Sequence, residues 1–178
     1  MATTIRPATR SDIPTILDFV RALATYEREP HAVTATKAGL ERDGFGPNPF
    51  YFCLIAEHDK RPAGFALYFF NYSTWLGRPG LYLEDLFVEP EFRGRGIGKA
   101  LLERVAAIAV EKNCPRLQWE VLDWNTPAID FYKAMGAEFL DEWRNVRLHG
   151  EALRRLAGLP GPPPVDPSVA DQETDASQ

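Results

Sequence analysis

The sequence predicts an α+β domain, and three observations carry that expectation. Aromatic-rich apolar runs of strand length flank a turn sequence, two segments place apolar residues at helical spacing, and one strand leads through a glycine-rich loop directly into a helix. A chain of 178 residues has room for one substantial core rather than two, so a single body over residues 1–157 is expected.

Thr3 to Arg6 reads as a short first strand. Ser11 and Asp12 then offer capping side chains, Pro14 suits a first helical turn, and Ile13, Ile16, Leu17, Val20, Leu23 and Ala24 share one face. A second helix is expected from Thr36 to Arg42, stopped by Asp43-Gly44. Phe50 to Glu57 and Ala63 to Asn71 flank Asp59-Lys60-Arg61-Pro62 as the arms of a hairpin. Gly80 to Val88 forms the next strand, which Pro90 ends. After the glycine loop, Leu101, Leu102, Val105, Ile108 and Ala109 stripe a helix that closes near Asn113-Cys114-Pro115. A strand from Arg116 to Leu122 and a helix from Asn125 to Met135 follow, with Gly136 as its left-handed cap. Strands at Glu138 to Leu140 and Asn145 to Leu148 and a helix from Gly150 to Ala157 complete the body.

Residues 158–178 crowd five prolines into a segment poor in large apolar residues, which predicts a flexible acidic tail. The tail holds four acidic residues and no Lys or Arg, leaving 21 acidic against 20 basic residues in the body. The overall charge of −5 therefore describes the tail, and the balanced body lacks the basic excess of a nucleic-acid binder. No apolar run approaches the roughly 20 residues of a membrane span, and no secretory leader is visible, so no membrane partner is expected. Cys53 and Cys114 make neither a disulfide framework nor a zinc-ligand spacing. A cytoplasmic protein without a metal is the expectation.

Arg93-Gly94-Arg95-Gly96-Ile97-Gly98-Lys99 stands between a strand and a helix. Alternating glycines let a bulky anion approach the backbone, and the helix N-terminus adds partial positive charge, so a phosphate or pyrophosphate is the natural ligand. A Walker loop fails because Lys99 is followed by Ala100, and a dinucleotide fingerprint fails because position 99 is not glycine. The remaining pattern, Arg-x-x-Gly-x-Gly, resembles the coenzyme A loop of the GCN5-related N-acetyltransferases (GNAT). Downstream, Asn125-Thr126-Pro127-Ala128-Ile129-Asp130-Phe131-Tyr132, with Gly136 four residues on, is similar to that family's second motif.

The resemblance implies a central mixed twisted sheet flanked by helices, with two strands splayed at the acetyl-CoA site. It implies acetyl-CoA as co-substrate, with Leu86, Phe87 and Val88 along its pantetheine arm. Arg93, Gly94, Arg95, Gly96, Ile97, Gly98 and Lys99 would surround its pyrophosphate, Asn125 and Ala128 would lie beside it, and Tyr132 would be the general acid for the departing thiolate. A homodimer is implied on the same ground.

Ile5 to Ala157 also resembles the spermidine/spermine N-acetyltransferase branch, through Ile5-Arg6-Pro7-Ala8-Thr9, Asp43-Gly44-Phe45-Gly46, Asn48-Pro49-Phe50-Tyr51 and Tyr82-Leu83-Glu84-Asp85-Leu86-Phe87-Val88. Leu122-Asp123-Trp124-Asn125 and the run from Gly150 to Ala157 are closer to the related thialysine acetyltransferases. By this likeness Glu84 receives the reacting end of the amine, Tyr26, Glu27 and Glu142 bind the rest of it, and Glu84 joins Tyr132 as catalytic. Relative to both groups the Glu57 to Pro62 connection and the Glu138 to Arg144 segment are shorter, and both face the substrate. In a regular strand Glu84 and Asp85 would point to opposite faces, one of them toward the core at a cost unless it is partnered. A small primary amine is thus the expected acceptor, with a lysine side chain of a protein, or a non-catalytic acyl-CoA-binding module, as the alternatives.

Overall fold

The computed structural model describes residues 2–159, so most of the expected tail lies outside the described residues. It comprises two compact units, one through Asn125 and one from Thr126.

In the first unit β1 (Thr3–Pro7), β2 (Phe52–His58), β3 (Arg61–Ser73), β4 (Arg78–Val88) and β5 (Leu117–Gln118) form one sheet in that order. Neighbours are antiparallel except for β4 and β5, which are parallel. The β2–β3 hairpin closes through Asp59 and Lys60, both with positive φ (49° and 66°), the pairing of left-handed residues that a tight hairpin turn requires. Helix α1 (Ile13–Tyr26) lays its apolar stripe on one sheet face, where Ile16 and Phe19 meet Cys53, Ile55, Phe65, Leu67 and Phe87. Phe19 stacks on Phe65 at 5.6 Å and tilts against Phe87 at 6.0 Å. Burying such a ring stabilises the fold by about 2 kcal/mol, which makes this cluster the floor of everything above it. Helix α3 (Ile97–Glu111) packs against β3 and β4 and buries Leu101, Leu102, Val105 and Ile108.

Helix α2 (Lys37–Phe45) begins at Thr36, whose hydroxyl accepts from the Gly39 amide, but it runs past the expected stop. Gly44 lies inside it, and a Cβ there would collide with the Tyr51 ring, so this glycine serves close packing rather than termination. Asp12 likewise caps nothing in α1. Its carboxylate accepts two hydrogen bonds from Arg6 at 2.8 Å and one from the Thr9 amide at 2.7 Å.

The strand expected from Arg116 to Leu122 is shortened to two residues. β5 pairs with β4 only at Leu81–Leu117 and Tyr82–Gln118. One cause is visible in the opposite register. Leu67 pairs with Asp85 and Tyr68 with Leu83, so Glu84 is an extra residue, and such a bulge bends and twists its strand. Beyond Tyr82 the β5 side of β4 has no strand beside it among the described residues.

The second unit holds α4 (Thr126–Ala134), ended by Gly136 at φ 85°, and α5 (Gly150–Leu156). The strands expected at Glu138 to Leu140 and Asn145 to Leu148 are absent. Leu140, Val146 and Leu148 are exposed, so the half-buried face that would hold a strand is not formed there. No described helix is long and apolar enough to cross a membrane.

Candidate active site

The bulge decides what β4 presents. Tyr68 and Leu67 are adjacent in β3 and face opposite ways, so their partners Leu83 and Asp85 do too, although they are two residues apart. Leu67 and Phe65 belong to the cluster under α1, so Asp85 and Phe87 lie on that face while Leu81 and Leu83 lie on the other. The bulge therefore breaks the alternation between Leu83 and Asp85, and of the two adjacent acids it is Asp85 that turns inward, as one of them was expected to. Glu84 is exposed and Asp85 part-buried.

Asp85 has no ion-pair partner among the described residues. Burial first, then the nearby carboxylates of Glu84 and Glu27, push its carboxyl up to about 7. Burial also raises Glu27, which follows the last turn of α1. The charges of Glu84 and Glu27 thus act on Asp85, none of the three is ion-paired among the described residues, and the arrangement favours a bound ammonium. Asp85 was not among the residues singled out from the sequence. The signal was there in the adjacent acid pair, but choosing the inner member needs the register. Burial and a hydrogen bond to Glu120 hold the neighbouring Tyr82 phenol well above the ordinary value.

Tyr26 ties this region together. Its hydroxyl donates to Asn125 Oδ1 at 3.0 Å, and its ring lies 6.1 Å from Trp124. The Arg93 guanidinium covers the other aromatic surface, 4.8 Å from the Tyr26 centroid and 5.8 Å from that of Phe87. Arg93 Nε donates to the Val88 carbonyl at 3.0 Å, so this arginine braces the loop against β4.

The loop itself suits a bulky anion. Gly94 and Gly96 have φ of 74° and 76°, a region that L side chains avoid, and an added Cβ at either would meet open space. The first intrahelical bond of α3 runs from the Ala100 amide to the Gly96 carbonyl, and no side chain caps the amides of Ile97, Gly98 and Lys99 before it. Arg95 is exposed and its guanidinium reaches the Glu91 carbonyl at 3.4 Å, and exposed Lys99 reaches Glu103 at only 3.7 Å. Leu86 and Val88 are half-buried on the stretch of β4 beyond Tyr82.

The first unit therefore brings together Tyr26, Glu27, Glu84, Asp85, Arg93 and Asn125. Ala128, Tyr132 and Glu142 belong to the second unit. Tyr132 is buried there with its ring 5.3 Å from Phe131, Ala128 is half-buried, and Glu142 is exposed.

Comparison with known proteins agrees with this geometry. Residues 16–137 match the acetyltransferase (GNAT) family. The chain is 46% identical to the thialysine N-epsilon-acetyltransferase of Bos taurus over 86% of its own length and 96% of that protein. It is 39% identical to spermidine/spermine N(1)-acetyltransferase-like protein 1 of Homo sapiens, over 86% of this chain but 23% of that one. Among solved structures, an integron cassette protein from the mobile metagenome of V. cholerae superposes with a TM-score of 0.75 at 28% identity, covering 88% of this chain and 98% of that one. Fold, loop and sequence agree that the chain belongs to the GNAT family of acetyltransferases, enzymes that use acetyl-CoA as co-substrate.

Proposed function

We propose that the chain transfers the acetyl group of acetyl-CoA to a primary amine of a small cationic molecule, a diamine, a polyamine or a lysine-like amino acid, by direct attack on the thioester. The observation that carries this reading is the part-buried, unpaired Asp85 at the β4 bulge, acted on by the charges of Glu84 and Glu27, beside the unpaired stretch that leads to the glycine loop.

Acetyl-CoA, when bound, supplies an activated acyl carbon and a thiolate leaving group. Gly94 to Lys99 hold its phosphates through backbone amides and the Arg95 and Lys99 charges, with Arg93 as the brace. Leu86 and Val88 line its arm with the Phe87 backbone between them, the Phe87 ring lying in the core, and Asn125 and Ala128 stand beside it. The acceptor arrives protonated, because an alkylamine with a pKa of about 10.4 is neutral in roughly one molecule in two thousand at pH 7. Glu27 and Glu84 draw in that ammonium, and the Glu84–Asp85 pair takes its proton, Asp85 being the member held near neutrality. Tyr132, matched by its place in the second motif, returns a proton to the leaving sulfur. The likeness to a thialysine N-epsilon-acetyltransferase and to spermidine/spermine N(1)-acetyltransferase-like protein 1 supports a small amine as acceptor.

Two further assignments go with this reading. The protein works in the cytoplasm, which suits its two free, buried thiols, and it works as a homodimer, as the family likeness implies. Sedimentation at micromolar concentration checks the second.

The test is release of CoA from acetyl-CoA with spermidine, putrescine, thialysine, lysine and a lysine peptide. Saturable turnover with a small amine supports the reading, and turnover with the peptide alone overturns it. Tyr132→Phe should lose at least about tenfold in kcat while still binding acetyl-CoA by calorimetry. Full turnover by that variant would remove Tyr132 from its role.

A further inference from the structure

Helix α1 ends in a way that its sequence does not require. The Arg28 amide donates to the Thr25 carbonyl at 3.2 Å and the Glu29 amide to the Ala24 carbonyl at 2.8 Å, which is the closure that ordinarily sets glycine at the left-handed position. The residue there is Arg28, at φ 69°. A side chain in that region costs about 1 kcal/mol, so the fold tolerates a strain that glycine would avoid.

The side chain is exposed, and its guanidinium lies 4.3 Å from the Trp124 ring centroid. It has no carboxylate within ion-pair distance among the described residues, although Glu27 precedes it. The Trp124 platform is fixed to the amine site through Tyr26, which contacts Trp124 with its ring and Asn125 with its hydroxyl. Stacking occupies a flat face of the guanidinium and leaves its in-plane N–H groups available, the edge that grips a carboxylate in bidentate fashion.

Three carboxylates select for a cation, but they cannot tell a diamine from an amino acid whose side chain ends in an amine. A positive charge beside them, stacked on Trp124, can. We propose that Arg28, held on Trp124, is the specificity-determining residue of this site: it receives the carboxylate of an α-amino acid whose terminal side-chain amine is presented to Glu84 and Asp85. A polyamine instead brings a second ammonium toward that guanidinium and is disfavoured, so discrimination arises from attraction and repulsion together. The proposal rests on the small-amine reading above and narrows its substrate class.

The test compares each amino acid with its own decarboxylated form, lysine with cadaverine and ornithine with putrescine, using the full chain as wild type, Arg28→Gly and Arg28→Lys. Glycine suits the backbone at this position, so Arg28→Gly keeps the fold, and a thermal melt verifies it. Arg28→Gly should shift the amino-acid-to-diamine ratio of kcat/KM about tenfold toward the diamine, mainly through KM, with Arg28→Lys intermediate. A ratio within about twofold of wild type in a folded, active Arg28→Gly enzyme would overturn the assignment while leaving the acetyltransferase reading in place. A wild type that prefers each diamine to its amino acid would overturn it equally. Absence of turnover with every small amine would instead sink the reading on which the proposal rests.

Discussion

Asp12 and Asp85 lie close enough to the same buried thiol, Cys53, for both charges to act on it, yet their carboxyl groups are driven in opposite directions. Asp12 accepts from Arg6 and from the Thr9 amide and hydroxyl, and these partners hold its carboxyl far below the usual range. Asp85 is part-buried without a cation, and burial first, then the charges of Glu84 and Glu27, push it up to about 7. A sheltered acid with its charge answered inside the fold contributes structure. One left unanswered costs stability and is available for chemistry.

Replacing Asp85 separates the two most sharply. Asp85→Asn should lower kcat/KM about a hundredfold, and the rise of activity toward alkaline pH, centred near pH 7 in the wild type, should move or vanish. A pH–rate profile that keeps its midpoint in Asp85→Asn would assign the proton transfer to Glu84 alone.

On stability the two substitutions should have opposite signs. Asp12→Asn removes the anion from a bidentate Arg6 contact and should cost about 2 kcal/mol at neutral pH. Because Asp12 is held below its unfolded value, its contribution is present above about pH 4 and is lost as the pH falls through the folded value. Asp85 is raised, so its penalty is absent below about pH 4, grows as the pH rises, and is complete above about 7. Asp85→Asn should therefore melt higher than wild type at pH 8 and alike at pH 4. Urea titrations at both pH values check the pair of signs, and a loss of stability in Asp85→Asn at pH 8 would show an unrecognised partner for that carboxylate.

The sequence showed much of this and concealed a specific part. The glycine loop, the stripe of α1 and the hairpin at Asp59-Lys60 were legible because each depends on local chemistry: positive φ, helical spacing, turn residues. Asp85 was not, because its face depends on one extra residue in the register between β3 and β4, a non-local property. Gly44 misled for a similar reason, since its neighbour Tyr51 arrives from seven positions along the chain, beyond the helix. Asn125 was legible as part of a motif, but its bond to Tyr26 spans 99 positions and could not be read. Arg28 carries no signal in the sequence, and its positive φ and its place over the Trp124 ring mark it only in the fold.

The smallest expected effect tests whether Tyr26 belongs with Asp12 or with Asp85. Its ring lies against both Arg93 and Trp124, while its hydroxyl donates to Asn125 Oδ1. Tyr26→Phe keeps the ring and deletes the bond, so stability should fall by about 1 kcal/mol or less. If Tyr26 is structural, kinetics should hardly change. If it sets the Asn125 carboxamide beside the cofactor arm, KM for acetyl-CoA should rise a fewfold while KM for the amine stays put. Tyr26→Ala would also release Arg93 from its aromatic brace and should raise KM for acetyl-CoA further. A phenylalanine variant that instead raises only the amine KM would move Tyr26 from the cofactor side of the site to the substrate side.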